Sequence, residues 1–158
     1  MSTPRRTQLK AALDRANRIN VLLTVMNMHS IAVRAGINST DVQCINLLSL
    51  DGPLTPSRLA ETMGMSKGGA VTAMVDRLEK AGYVRRTRDP HDRRQVLIEI
   101  VDGEPFRRLA ELFLPLRDTA DSVLTEYTDE QLEFIVDFTV RNNDAIARLH
   151  ESERPAST

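Results

Sequence analysis

Arginines are the residues of this chain best suited to chemistry, and they cluster where it reads RRTRDPHDRR. A guanidinium is a fixed cation whose fork of N–H donors fits phosphate oxygens and the edges of nucleic-acid bases. We therefore predict nucleic-acid contacts for Arg86, Arg93 and Arg94, and a loop-organising role for Asp89 and Asp92. An arginine run by itself is more often only a solvated surface, so the elements that precede it decide between the two.

A second group lies upstream, at the start of a predicted helix. A helix N-terminus has unpaired N–H groups and a partial positive charge, which suit a phosphate at Ser66, and Lys67 adds a full charge there. Gly68 and Gly69 each weaken a helix by roughly 1 kcal/mol relative to Ala in its interior, and by less in the first turn. One explanation is that bulk would hold the helix away from base edges; the alternative is a frayed first turn.

These groups belong to one continuous series of predicted elements. The series is a short helix capped by Thr55, a tight turn at Gly64, a longer helix over 66–81, and strands over 84–88 and 95–101. The longer helix has an apolar stripe at i, i+3, i+4 and i+7, formed by Val71, Met74, Val75 and Leu78. Its predicted outward face is Gly69, Thr72, Ala73, Asp76, Arg77 and Lys80. This order is typical of a helix-turn-helix followed by a two-stranded wing, which binds duplex DNA.

Helices are also predicted on both sides of this series. Residues 9–35 form a helix that is apolar on more than one face, which fits a central core helix or one shared with a partner subunit. A second helix begins at a cap within Ser39–Asp41 and ends at Leu50. A third begins near Pro105 and should kink or break at Pro115. A Thr128 capping box begins the last, which runs to about Leu149.

The net charge of −1 is unevenly distributed. Residues 1–57 have six Lys/Arg and three Asp/Glu (+3), residues 58–101 have nine and six (+3), and residues 102–158 have six and thirteen (−7). The segment predicted to contact DNA is therefore basic. A near-neutral total does not exclude phosphate binding, because binding depends on local patches.

Other classes of function have little support. The single cysteine, Cys44, excludes an internal disulfide, and the three histidines never approach metal-ligand spacing, so we predict no metal and no cofactor. No nucleophile–base pair or phosphate-cradling glycine loop is evident, which argues against an enzyme. No apolar run reaches the ~20 residues of a membrane span and the N-terminus lacks a signal-peptide pattern, so a cytoplasmic protein is expected.

The run SKGGAVTAMVDRLEKAGYVRR, followed by DPHDRR, resembles the recognition helix and wing of the MarR (multiple antibiotic resistance regulator) family. The resemblance extends through chain length and helix order. It implies a mainly α fold with a small β-hairpin wing, in which a winged helix-turn-helix joins a helical dimerisation domain. The residues it implies at the major groove or flanking phosphates are Ser66, Lys67, Gly68, Thr72 and Arg77. At the minor groove it implies Arg94 together with Arg93.

On this resemblance the chain divides into four parts. They are an N-terminal dimerisation helix (1–35), a winged helix-turn-helix DNA-binding domain (36–101), C-terminal dimerisation helices (102–150) and a disordered tail (151–158). The resemblance implies a sequence-specific transcriptional regulator, usually a repressor. Such a protein binds palindromic, inverted-repeat operators on double-stranded DNA as a homodimer.

Members of this family often bind small aromatic or phenolic anions between the dimer helices and the winged domain, which implies release from DNA by such a ligand. The candidate ligand-binding residues are Met26, His29, Arg34, Cys44 and Ile45. A lone His or Cys in an apolar helix is more often simply packed. Two other functions stay open: a weakly specific architectural DNA-binding protein without effector, which Gly68 and Gly69 favour, and a protein-interaction module.

Overall fold

The computed structural model describes residues 3–65 and 69–152. Within these ranges the chain forms six helices and one antiparallel hairpin, which confirms the mainly α fold with a β-hairpin wing. The elements are α1 (Pro4–Ala35), α2 (Ser39–Asp51), α3 (Pro56–Thr62), α4 (Gly69–Lys80), β1 (Val84–Arg88), β2 (Val96–Ile100), α5 (Glu104–Leu124) and α6 (Asp129–Ser152).

Short polar side chains fix where the first three helices begin. The Thr3 hydroxyl accepts the Arg6 N–H at 3.3 Å, so α1 begins earlier than predicted. The N-cap of α2 is Asn38, just before the predicted candidates, and its N–H donates to the Asp41 carboxylate at 3.3 Å. Thr55 caps α3 as predicted, with its hydroxyl 3.2 Å from the Arg58 nitrogen.

The two C-terminal helices differ from the prediction at one proline. Helix α5 continues through Pro115, so of the predicted kink or break the break is wrong. A proline removes one N–H donor, the one that would reach residue 111, while the hydrogen bonds on either side still hold the helix. Helix α6 begins after the predicted capping box, in which the Thr128 N–H donates to Gln131 at 2.9 Å.

The chain divides into two compact units, Met1–Phe113 and Leu114–Thr158, and the boundary falls inside α5 beside Pro115. The first unit contains the core. The predicted stripe of α4 is buried, and it packs with Ile45 of α2, Leu59 of α3, Ile98 of β2 and Leu109 of α5. One face of α4 therefore packs against the core, and its opposite face is exposed to solvent.

The hairpin has one attachment that the sequence did not predict. Strands β1 and β2 pair from Val84↔Ile100 to Arg88↔Val96. On its other side Ile98 bonds to Leu54, with Leu54 N to Ile98 O at 3.1 Å and Ile98 N to Leu54 O at 2.8 Å. A single extended residue has no alternating pattern, so periodicity could not reveal this bridge, which anchors the wing to the start of α3.

Each of the two units exposes large apolar side chains. In the first unit most of them lie along α1, including Val21, Leu22, Val25 and Met26, and one, Leu50, lies on α2. In the second they include Phe134, which is 72% exposed. None of the helices within the described ranges is long and apolar enough to cross a membrane.

Candidate nucleic-acid interface

The outward face of α4 is formed by the residues that the helical wheel predicts. Gly69, Thr72, Ala73, Asp76, Arg77 and Lys80 are all exposed. A Cβ added at Gly69 would meet no atom within 4 Å, so the folded protein itself does not require glycine there. The predicted contacts Ser66, Lys67 and Gly68 lie outside the described residues.

Two aspartates organise the tip of the wing through backbone hydrogen bonds. One carboxylate oxygen of Asp89 accepts the His91 N–H at 2.8 Å and the Asp92 N–H at 3.4 Å. The Asp92 carboxylate accepts the Arg94 N–H at 3.0 Å and the Gln95 side-chain amide at 3.2 Å. These bonds hold the loop while leaving the arginine side chains outside it.

Arg93 and Arg94 are exposed at this tip. Within residues 3–65 and 69–152, neither guanidinium forms an ion pair. The Arg93 carbonyl accepts a long, 3.5 Å hydrogen bond from Arg88, which does not occupy the Arg93 side chain. Both cations are therefore available to an external anion.

Arg77 has a partner inside the protein. Its Nη2 lies 2.8 Å from the Asp41 Oδ1, where the Asp41 side chain is 4% exposed and that of Arg77 is 49% exposed. Asp41 also accepts the N-cap N–H of α2, so one carboxylate ties α4 to α2. Sequence analysis missed this pair because its members lie far apart in the chain.

Arg86 is held by α4. Its Nη2 donates to Asp76 at 2.5 Å, its Nη1 donates to Glu79, and its backbone N–H donates to Glu79 at 3.0 Å. The hydrogen bond to Asp76, together with the contacts to Glu79, raises the pKa of Arg86 above its usual value although desolvation acts against it. The structure thus places this predicted DNA contact in ion pairs of the protein. The spacing of Asp76 and Glu79 on one helix face was the signal for it.

A cavity of about 410 Å³ lies between the end of α1 and the start of α5. Its cationic and phenolic lining is Arg34, Tyr83 and Arg108; the other lining residues are Ala35, Glu104, Pro105, Leu109, Glu111 and Leu112. Burial raises the pKa of the Tyr83 hydroxyl, and the Arg108 charge acts in the opposite direction. The phenol is therefore neutral and can donate a hydrogen bond at physiological pH.

The structure brings only one of the five predicted ligand-binding residues, Arg34, to this cavity. Met26 and His29 are exposed on α1, whereas Cys44 and Ile45 are sealed in the core. Burial first, and then the Asp41 carboxylate, raise the pKa of the Cys44 thiol to about 12. Cys44 is therefore a protonated packing residue in this fold.

Comparison with known proteins gives the same family from sequence. A family model described as MarR family matches residues 37–96. The uncharacterized HTH-type transcriptional regulator YcgE of Bacillus subtilis (strain 168) is 40% identical over 121 residues, which cover 77% of this chain and 77% of that protein. A second regulator of that organism, YfiV, is 33% identical over 81 residues, or 50% of each chain.

Solved structures share the fold. A MarR family protein from Bacillus stearothermophilus matches with a TM-score of 0.62 at 23% identity, covering 96% of this chain and 98% of that one. A mutant of MepR from a multidrug-resistant S. aureus clinical isolate matches with a TM-score of 0.71 at 12% identity, covering 85% and 96%. At these identities the similarity shows the architecture alone.

Proposed function

Because the chain belongs to the MarR family of DNA-binding transcriptional regulators, we propose that it is a cytoplasmic repressor that binds an inverted-repeat operator as a homodimer. The observation that carries this proposal is the exposed face of α4 beside a wing whose tip holds Arg93 and Arg94, neither of which forms an ion pair with the described part of the chain. In a winged helix the helix enters the major groove, and an arginine of the wing can enter a narrow minor groove.

The contacts we propose follow from this arrangement. Thr72 lies on the exposed face of α4, where we place it at base edges or phosphates. Ser66, Lys67 and Gly68 precede that helix, and we propose that they meet phosphates at its N-terminal end. Arg93 and Arg94 complete the interface at the minor groove.

The exposed apolar side chains support the dimer. Monomeric proteins seldom expose large contiguous apolar surfaces, and such surfaces mark interfaces. A two-fold dimer would present its two recognition helices to half-sites one helical turn apart, ~34 Å, which accounts for an inverted repeat.

We propose that a small aromatic or phenolic anion in the cavity beside Arg34 releases the protein from DNA. The cavity volume lies within the range of small-molecule sites, about 300–1,000 Å³. Arg34 and Arg108 would bind the anionic group, while Leu109 and Leu112 would contact an aromatic ring. Thermal-shift screening of such anions against wild-type protein and an Arg34→Ala variant tests this part: a ligand that stabilises only wild-type protein supports it.

Binding isotherms at one fixed salt concentration test the proposed function. The duplexes are the region upstream of the protein's own gene and a scrambled sequence of equal length. A specific regulator favours its site by about 10³-fold or more. A ratio near one would instead indicate the weakly specific architectural protein, and unchanged affinity in an Arg94→Ala variant would indicate a protein-interaction module.

A further inference from the structure

Arg86 lies on the wing, but its side chain binds two carboxylates of α4, the proposed recognition helix. Its guanidinium joins Asp76 and Glu79, and its backbone N–H also donates to Glu79, so three hydrogen bonds connect β1 to α4 at one residue. Only 33% of the side chain is exposed. Of the three arginines on β1, only Arg86 pairs with α4 among the described residues; Arg85 pairs with Glu99 inside the hairpin at 2.6 Å.

We infer that Arg86 is a positioning residue, which fixes the wing relative to the recognition helix so that both reach the same duplex. We call the set of Arg86, Asp76 and Glu79 the wing clamp. The inference rests on the proposed DNA binding, and it replaces the direct DNA contact that the sequence predicts for Arg86.

The positions of the two carboxylates of the wing clamp are costly for a DNA-binding helix. Each adds negative charge to a helix proposed to approach a polyanion, which should oppose binding. Glu79 also lies in the last turn of α4, where the helix macrodipole disfavours an anion. Both costs are offset when the carboxylates hold Arg86, because the guanidinium neutralises them and the helix gains a fixed connection to the wing.

The position of β1 in the sheet makes such a connection necessary. Ile98 of β2 bonds to Leu54 on one side and faces Arg86 on the other, so β1 is the outer strand among the described residues. An outer strand has backbone donors without a strand partner. Glu79 accepts one of them, the Arg86 N–H, and thereby holds the outer strand against α4.

Removing the two carboxylates distinguishes simple repulsion of DNA from positioning by the wing clamp, because the two explanations predict opposite changes in operator affinity. A variant with Asp76→Asn and Glu79→Gln loses two negative charges beside the DNA. If the acids only repel DNA, operator affinity rises. The wing clamp predicts instead that affinity falls by about fivefold or more, the loss expected when exposed ion pairs that act together are removed. The matched control is Glu99→Gln, which neutralises an acid of the wing without touching α4 and should not lower affinity.

Salt dependence separates positioning from direct contact at Arg86. A residue that neutralises a phosphate contributes about 0.9 to the slope of log affinity against log salt. We expect Arg86→Met to lower affinity while leaving this slope unchanged, and Arg86→Lys to restore part of the affinity through one carboxylate. Arg85→Met is the matched control, since it removes the neighbouring charge but leaves the wing clamp intact; its affinity should stay well above that of Arg86→Met.

Three results would overturn the inference. They are a slope that falls by about 0.9 in Arg86→Met, equal losses in the Arg85 and Arg86 variants, and an unchanged or higher affinity in the double-carboxylate variant. Thermal melting by circular dichroism accompanies each variant, and the single variant Glu79→Gln serves where the double variant does not fold. Absence of operator binding by wild-type protein would refute the proposed function first, and the inference with it.

Discussion

At the scale of single residues, Arg93 and Arg94 are the arginines at the tip of the wing, and neither forms an ion pair among the described residues; Arg94 gives the clearest prediction. Arg94→Ala should weaken operator binding and lower the slope of log affinity against log salt by about 0.9, because one cation that releases counterions from the DNA is lost. Fluorescence anisotropy at four or more salt concentrations measures both quantities.

The control for Arg94 is Arg107→Ala. Arg107 lies outside the wing and pairs with Asp102 at 3.2 Å, so its loss removes the same charge from the protein as a whole. Equal slopes for the two variants would mean that Arg94 acts only through net charge, and would contradict a wing-tip contact.

Arg77 should matter for stability, because it neutralises a buried carboxylate. Arg77→Met leaves Asp41 without its cation and should lower the free energy of unfolding by about 1–2 kcal/mol, a figure reduced from that of a fully buried pair because Arg77 is half exposed. Urea unfolding at one fixed protein concentration measures it. Adding Asp41→Asn to this variant should recover part of the loss, and strict additivity of the two substitutions would contradict the pairing.

Cys44 should be inert in the folded protein. With a pKa near 12 the thiolate fraction at pH 8 is about 10⁻⁴, and burial excludes reagents as well. The pKa of the folded-state thiol lies above the ordinary value of 9.0, so this thiol contributes stability below pH 9 that is lost as pH rises from 9 towards 12. Iodoacetamide labelling followed by mass spectrometry should show reaction only in urea. Rapid labelling of native protein, or release of DNA by peroxide, would contradict an inert Cys44.

At the scale of elements, a substitution at Gly69 of α4 should affect folding stability and operator affinity in opposite directions. Gly69→Ala should raise thermal stability slightly, by about 0.5 kcal/mol or less in a first helical turn, since the added Cβ meets no other atom. The same change should lower operator affinity if bulk holds α4 away from the bases. Melting temperature and affinity measured on one preparation distinguish the effects; unchanged affinity would support the frayed-turn explanation.

Periodicity predicted the elements whose cause is local. The stripe of Val71, Met74, Val75 and Leu78 was identified because helix geometry repeats every 3.6 residues, and those four side chains are buried. Strand β1 and the Thr128 capping box were likewise predictable from neighbouring residues. The bridge at Leu54 and the continuous helix at Pro115 could not be predicted in this way. The bridge depends on a partner strand, and the helix depends on how well the residues around Pro115 tolerate a missing N–H donor.

The candidate site was predictable in its composition but not in its pairing. Arginine-rich sequence placed cations on the wing, and the structure leaves Arg93 and Arg94 exposed there. Which arginines would be occupied within the protein depends on contacts between distant segments, such as Arg77 with Asp41 and Arg86 with Asp76. Such pairs are set by packing, and only the second had a local signal, the spacing of Asp76 and Glu79 on one face of α4.

At the scale of the whole molecule, the exposed apolar residues predict self-association. Phe134 and Val136 lie exposed on α6, and in a two-fold interface each substitution acts twice. Phe134→Asp should therefore shift the proposed dimer towards a monomer of 17.7 kDa in analytical ultracentrifugation. The matched control is Arg141→Asp on the same helix, a polar surface position. A monomeric wild-type protein at micromolar concentration would contradict the homodimer.

Hydroxyl-radical footprinting of the operator by wild-type and Arg94→Ala proteins tests the joint use of helix and wing most directly, because the reagent attacks from the minor groove. We predict minor-groove protections related by two-fold symmetry in the wild-type complex. Those protections should weaken selectively in Arg94→Ala at concentrations that still occupy the site. A footprint without two-fold symmetry, or one that Arg94→Ala leaves unchanged, would contradict this account.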